Sequence, residues 1–192
     1  MPTVFTIGHS THSIGTFVKL LSMHKIDAIV DVRSQPYSQF NPQYNKESLT
    51  KSLECSGIEY VFLGQELGAR SDDPTCYCNG RVDYDRLAET DVFKDGIGRV
   101  KKGATSRNIA LMCAEKDPLD CHRTILIARY LAKEQFAIRH VLSDGGVEEH
   151  DGVMARLVEK LKISKTPDMF DTELPIEAAY RIQGEKIAYR LP

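Results

Sequence analysis

The chain has 192 residues, enough for one domain with its own core, and its 42% hydrophobic content carries no disorder signature. Lys plus Arg number 25 against 27 Asp plus Glu, a net charge of −2, which excludes a wholesale nucleic-acid coat protein while leaving a local basic patch open. No apolar run approaches the roughly 20 residues that span a bilayer, the opening residues show no leader pattern, and five cysteines do not make a secreted disulfide framework, so a reducing cytoplasmic setting without membrane contact is expected.

Taken in order, Thr3-Val-Phe-Thr-Ile7 reads as a first buried strand ending at Gly8. Ser13 caps a predicted helix whose Ile14, Phe17, Val18 and Leu21 follow helical spacing. Ile26 to Val32 is the second strand, followed by a polar, aromatic-bearing loop from Arg33 to Tyr44 and a helix over Lys46 to Cys55 stopped by Gly57. Ile58 to Phe62 is the third strand, and Gly64 to Gly80 reads as a long loop of the kind that often serves function. Asp83 to Lys102 reads as helix with a break near Asp95-Gly96, and Asn108 to Cys113 as the fourth strand. Asp120 is placed to cap a helix from Cys121 to Lys133, and Phe136 to Leu142 is the fifth strand, closed by Ser143-Asp-Gly-Gly146.

Short apolar strands alternating with helices predict a Rossmann-like α/β three-layer sandwich, with about five mainly parallel strands covered on both faces. Residues 1–147 form its core and 148–192 a helical appendage of the same domain, either packed on it or reaching to a partner. With the strand order 3-2-1-4-5, the loops after strands one, two and four converge at the carboxyl edge of the sheet, where ligands bind in such folds.

Those loops carry the candidate chemistry. Gly8-His9-Ser10-Thr11 offers backbone N–H groups and hydroxyls for a phosphate, or only caps the next helix. Arg33, ahead of Pro36 and Tyr37, suits bidentate binding of an anion; the alternative is an ion pair with Asp31 or Glu115 that ties loops together. Cys113 through Arg123 holds two opposed possibilities. Cys113 or Cys121 is a nucleophile, or Glu115 and His122 exchange protons while Arg123 and Arg33 hold the anion. Glu115, Asp117 and Asp120 oppose a thiolate, which favours acid/base work with Cys113 as a small buried residue. Cys76, Cys78, Cys113, Cys121 and His122 do not follow the spacing of structural zinc motifs, so no metal is expected, and the sequence names no cofactor. The basic run Arg99 to Arg107 and the aromatics Tyr37, Phe40 and Tyr44 leave nucleic-acid binding open, against a solvated helix end and a self-packed loop.

At these residues the chain resembles the uncharacterised family catalogued as domain of unknown function 488. The resemblance is carried by Thr6-Ile-Gly-His-Ser10, Val30-Asp-Val-Arg33 with Pro36, Ser38 and Phe40, Gly57-Ile58, Leu67-Gly68, Leu111-Met-Cys-Ala-Glu115, Pro118 and Cys121-His-Arg123. Ala69 departs from it where a second glycine is common. The resemblance implies a Rossmann-like domain, signature positions at His9, Arg33, Glu115, Cys121, His122 and Arg123, and an association with nucleotides or nucleic acids, but no defined activity. A fainter likeness to rhodanese-type sulfurtransferases, in Val30-Asp-Val-Arg33 and Leu111-Met-Cys113, fails after Cys113, where Glu115 and Asp117 replace a cradle of amides.

The expected function is a hydrolase or transferase acting on a phosphate-bearing substrate such as a nucleotide or nucleic acid. Glu115, His122 and His9 are its expected catalytic groups, and Ser10, Thr11, Arg33, Pro36, Tyr37, Cys113, Cys121 and Arg123 its expected substrate contacts. A sulfurtransferase-like thiol enzyme and a binding module without catalysis are the alternatives.

Overall fold

The computed structural model describes residues 2–164 and 173–191. The first half comprises β1 (Thr3–Gly8), α1 (Ile14–Met23), β2 (Ala28–Asp31), α2 (Lys46–Glu54), β3 (Glu59–Phe62) and α3 (Gly64–Leu67). A small hairpin of β4 (Tyr77–Cys78) and β5 (Arg81–Val82) follows, then α4 (Tyr84–Glu89), α5 (Asp91–Ser106) and β6 (Ile109–Cys113). The chain continues through α6 (Arg129–Lys133), β7 (Ala137–Val141), β8 (Val147–Glu149), α7 (His150–Lys160) and α8 (Pro175–Ile187).

The central sheet has six strands in the order β3-β2-β6-β1-β7-β8, parallel except for the β8 edge. Side chains alternate across it. Phe5, Ile7, Ile29, Ala110 and Met112 meet Phe17 and Leu21 of α1 and Leu49 and Leu53 of α2 on one face. Val4, Val30, Leu111 and Cys113 meet Phe93, Ile97 and Val100 of α5 and Val153 and Leu157 of α7 on the other. This is the Rossmann-like three-layer fold expected, both faces of a parallel sheet being covered by helices.

The strand order differs from expectation. The fourth major strand, β6, lies between β2 and β1 instead of outside β1. All five of its residues are buried, so its apolar run takes a central position, whereas β3 has an exposed Glu59 and stays at an edge. The loops after β1, β2 and β6 converge nonetheless, because these three strands are neighbours.

Several local expectations are corrected. The stretch Gly64 to Gly80 is not structureless. It holds α3, a tight turn at Pro74–Cys76 and the β4–β5 hairpin, whose Asn79 and Gly80 have φ of 51° and 72°, the left-handed pair a two-residue hairpin turn requires. The long helix breaks at Thr90, whose hydroxyl accepts from the Phe93 amide at 3.2 Å, and not at Asp95-Gly96. Gly96 lies inside α5 because a Cβ there would stand 2.8 Å from Leu67 and Glu66 of α3; it permits close packing instead of ending the helix. Asp120 caps nothing. Asp117 accepts from the Leu119 amide at 3.0 Å and starts a tight turn, and the helical run begins only at Arg123 as a π-helical segment to Ala128 that leads into α6. After α8 the chain returns to the hairpin, with Val82 donating to the Tyr189 carbonyl at 2.9 Å and Leu191 to that of Gly80 at 2.8 Å. Among the described residues no helix is long and apolar enough to cross a membrane.

Candidate functional site

The carboxyl ends of β1, β6 and β2 are tied together by backbone bonds. His9 N–H donates to the Cys113 carbonyl at 2.9 Å and Ser10 N–H to that of Ala114 at 3.0 Å, with Ser10 held at φ 48°. Gly8 permits this approach, since a Cβ there would lie 1.9 Å from the Glu115 carbonyl oxygen. The amides expected to cradle a phosphate at His9 and Ser10 are therefore occupied by the neighbouring loop. The helix cap is Ser13, which accepts from the Thr16 amide, and Thr11 is exposed beyond it.

Arg33 and His9 form a buried unit. The Arg33 guanidinium grips Asp31 through Nε at 2.9 Å and Nη2 at 2.6 Å and also donates to the Tyr44 carbonyl at 2.8 Å. Its Nη1 lies 3.3 Å from His9 Nε2, and His9 Nδ1 lies 2.9 Å from the Ser10 carbonyl oxygen. A carbonyl only accepts and a guanidinium only donates, so His9 is the neutral Nδ1–H tautomer with both nitrogens engaged. Burial, reinforced by the Arg33 charge, lowers its pKa to about 4. The ring stacks on buried Tyr44 at 4.0 Å. Of the two readings of Arg33, its geometry is that of the loop-tying ion pair.

Arg123 is fully buried. It donates from Nη1 to the Glu115 carbonyl at 2.8 Å and from Nη2 to that of Lys116 at 3.4 Å, so it shapes the loop from Cys113 to Asp120. Pro36 is also structural: it is buried, and its carbonyl accepts from the Lys46 amide at 3.0 Å at the start of α2.

The remaining groups assemble around His122. Its Nε2 lies 3.0 Å from the Val32 carbonyl oxygen and must carry the proton, which aims Nδ1 at two sulfurs, Cys113 Sγ at 3.6 Å and Cys121 Sγ at 3.8 Å. Cys121 Sγ donates to Glu115 Oε2 at 3.0 Å. Burial pushes the Cys113 thiol up, as does its hydrogen bond to Cys121. Burial also opposes a thiolate at Cys121, but the Cys113 hydrogen bond and the charges of Arg123 and His122 bring it below the usual thiol range. Glu115 is raised by burial and by the facing Cys121. For His122, burial favours the neutral ring, yet Cys121 and Glu115 outweigh it and raise the pKa. The strand end places Cys113, and the tight turn after Asp117 brings Cys121 and His122 back beside it at the mouth of the π-helical segment, a rare element that often marks functional sites.

Cys113, Glu115 and His122 line an open cleft of ≈360 Å³, together with Arg33, Tyr37 and Arg70. Ser10, Thr11, Pro36, His9, Cys121 and Arg123 do not line it. Two groups that the sequence did not single out do: Arg70, whose guanidinium lies 4.3 Å from the centre of the Tyr189 ring, and Tyr189 itself. Arg70 comes from the loop after α3, and Tyr189 is brought in by the chain after α8. The basic run is otherwise engaged, with Arg99 paired to Glu66, Lys101 to Glu134 and Arg107 to Glu59. Of the loop aromatics, Tyr37 and Phe40 are exposed, while Tyr44 belongs to the core.

The two sulfurs and His122 Nδ1 all lie within 4.8 Å of one another, a grouping of donor atoms able to hold a metal ion. Cys76 and Cys78, donors by residue type in a sequence whose spacing leads to the expectation of no metal, stand apart at the hairpin, one buried and one exposed.

No curated protein and no solved structure matches the chain. The model of a family described as domain of unknown function DUF488 matches residues 13–131, a span that takes in Arg33, Glu115 and the Cys113–His122 cluster but begins after His9. That is more than half of the sequence, and the chain belongs to this uncharacterised family.

Proposed function

We propose that this protein is an enzyme, a hydrolase or group transferase, whose reaction takes place in the cleft over Cys113, Glu115 and His122. The observation that carries the reading is the meeting of a carboxylate, an imidazole oriented by a backbone carbonyl and the Cys113 thiol in one open cleft at the carboxyl edge of a parallel sheet, with the Cys121 thiol buried just behind them. Glu115 is the group placed to move a proton, because its carboxylate faces both the cleft and the sulfur cluster. A phosphate-bearing substrate of nucleotide type fits the rim. Among the described residues Arg70 has no carboxylate partner, and Tyr37 presents an exposed ring. Arg33 and Arg123 are engaged internally and act by holding the loops.

The sulfurtransferase-like alternative has less support, because both cysteines are buried, at 3% and 1% exposure, and Cys121 does not line the cleft. Assay of Glu115→Gln and Arg70→Ala proteins against nucleotides, phosphoesters and thiosulfate tests the reading. Loss of turnover in Glu115→Gln on a phosphate-bearing substrate supports it. Wild-type turnover in both variants overturns these roles, and salt-dependent binding of nucleic acid without turnover identifies a binding module instead.

A further inference from the structure

We infer that Cys113, Cys121 and His122 form a zinc(II) site with three protein ligands and an open fourth position facing the cleft. The role of that position in catalysis rests on the reading above; the binding itself does not.

The distances carry the inference. Zinc bonds of about 2.3 Å to thiolate and about 2.0–2.1 Å to imidazole, set tetrahedrally, put each sulfur about 3.6 Å from the nitrogen. Cys113 Sγ and Cys121 Sγ stand 3.6 and 3.8 Å from His122 Nδ1. Both sulfur–nitrogen separations are thus those of a zinc polyhedron, and the two sulfurs lie within 4.8 Å of each other.

A second observation is independent of those distances. His122 Nε2–H is fixed on the Val32 carbonyl at 3.0 Å, which is how a metal-binding histidine is held so that its other nitrogen presents a lone pair. Among the described residues that lone pair is directed at no donor other than the two thiols.

The setting suits a borderline-soft dication. Two thiolates neutralise it, and the ligands are nearly inaccessible to water, at 3%, 1% and 6% exposure. They are also carried by rigid pieces, a central strand end and the start of a helical run. Two cysteines and one histidine leave the fourth corner free for water or substrate, the arrangement of catalytic rather than structural zinc. Cys113 and His122 both line the cleft, so we assign the free corner to that side, where Glu115, which also lines the cleft and lies against Cys121, is placed to accept a proton from a bound molecule.

The test uses the full chain, untagged, in a Cys55→Ser/Cys78→Ser background that removes the two exposed thiols. The reduced protein is titrated with cobalt(II) and then with zinc(II). Stoichiometric cobalt binding with thiolate charge-transfer bands and the intense visible bands of a tetrahedral site, displaced by equimolar zinc, is expected. Cys113→Ser and His122→Gln should each weaken binding by more than the about 10–100-fold that loss of a supporting residue causes. Near-ultraviolet circular dichroism checks that these variants remain folded. Absence of the tetrahedral spectrum in the folded protein, or undiminished binding in both folded variants, overturns the site.

Glu115→Gln separates the two proposals, because it is expected to keep the metal while losing turnover. Activity that depends on Glu115 in a protein that binds no metal overturns the zinc site and leaves the enzyme reading standing. Metal binding without turnover of any phosphate-bearing substrate does the reverse.

Discussion

The Arg33 guanidinium holds the Asp31 carboxylate, two residues back along the same strand end, through paired bonds of 2.9 and 2.6 Å, and both groups are buried. Asp31 also accepts from the Tyr60 hydroxyl at 2.8 Å. Removing one partner of such a pair leaves an uncompensated buried charge, at a cost of about 3–5 kcal/mol. Arg33→Ala is expected to destabilise the fold by that order in urea unfolding. Arg33→Met/Asp31→Leu, which removes both charges, should recover most of the loss, and a double variant no more stable than Arg33→Ala would contradict the assignment.

Gly8 is a point of contact between two loops. A methyl group there would meet the Glu115 carbonyl oxygen at 1.9 Å and Arg123 Nη2 at 3.2 Å. Gly8→Ala is expected to lower stability by about 1–3 kcal/mol through overpacking and to displace the Glu115 loop. Thermal unfolding reads the first effect and turnover the second; an unchanged melting temperature would show that the contact is loose.

His150 joins three elements. Its Nδ1 lies 3.0 Å from His140 Nε2 on β7 and its Nε2 lies 2.7 Å from the Tyr180 hydroxyl on α8, while His140 Nδ1 meets Thr6 Oγ1 of β1 at 2.8 Å. Burial lowers the His150 pKa to about 4, against a smaller opposing effect of Asp151. The unfolded chain binds this proton near pH 6.5 and the folded one only near pH 4, so the contribution to stability is complete above about pH 6.5 and is lost as the pH falls toward 4. His150→Asn should flatten that part of the stability–pH profile, as measured by chemical unfolding between these limits.

The five free cysteines should divide by exposure. Cys55 and Cys78 are expected to alkylate rapidly in the native protein, while Cys76, Cys113 and Cys121 are protected until it unfolds. Peptide mass mapping after a short iodoacetamide pulse reads the pattern, and fast labelling of Cys121 would favour the thiol enzyme.

Arg70→Ala should raise KM for an anionic substrate more than it lowers kcat, because the guanidinium is an exposed cation beside Tyr189 that lines the cleft as a binding group, while Glu115 is the group placed to move the proton. A fall in kcat at unchanged KM would move Arg70 from binding to chemistry.

Much of the fold could be read from local pattern. The apolar runs marked β1, β2, β3, β6 and β7, and the loops after three of them do converge. Strand order could not be read this way, because periodicity says that β6 is buried but not which strands flank it. The Asn79-Gly80 turn carried a hairpin signal that was hidden inside a loop of polar residues. In the site, Glu115, Cys113 and His122 were found by their position after a strand. The use of Arg33 was the harder inference, since an arginine two residues from an aspartate can turn to it or to a ligand, and only the side-chain geometry decides. Cys113, Cys121 and His122 are set aside as metal donors on their linear spacing, because the tight turn after Asp117 that folds them into one small volume does not show in that spacing. Arg70 and Tyr189 lie far apart in the sequence and have no local signature.

The place of β6 has a consequence for how the chain matures. β1 and β2 are both made early, yet neither pairs with the other; each hydrogen-bonds to β6, whose first residue is Ile109. During synthesis the β6-facing edges of β1 and β2 therefore stay unsatisfied until more than half the chain has left the ribosome; only then does β6 slide between them, with β7 following to cover the other edge of β1. Ribosome-stalled chains ending before Ile109 should be open to proteolysis throughout, and protection should appear abruptly once the segment through Cys113 has emerged.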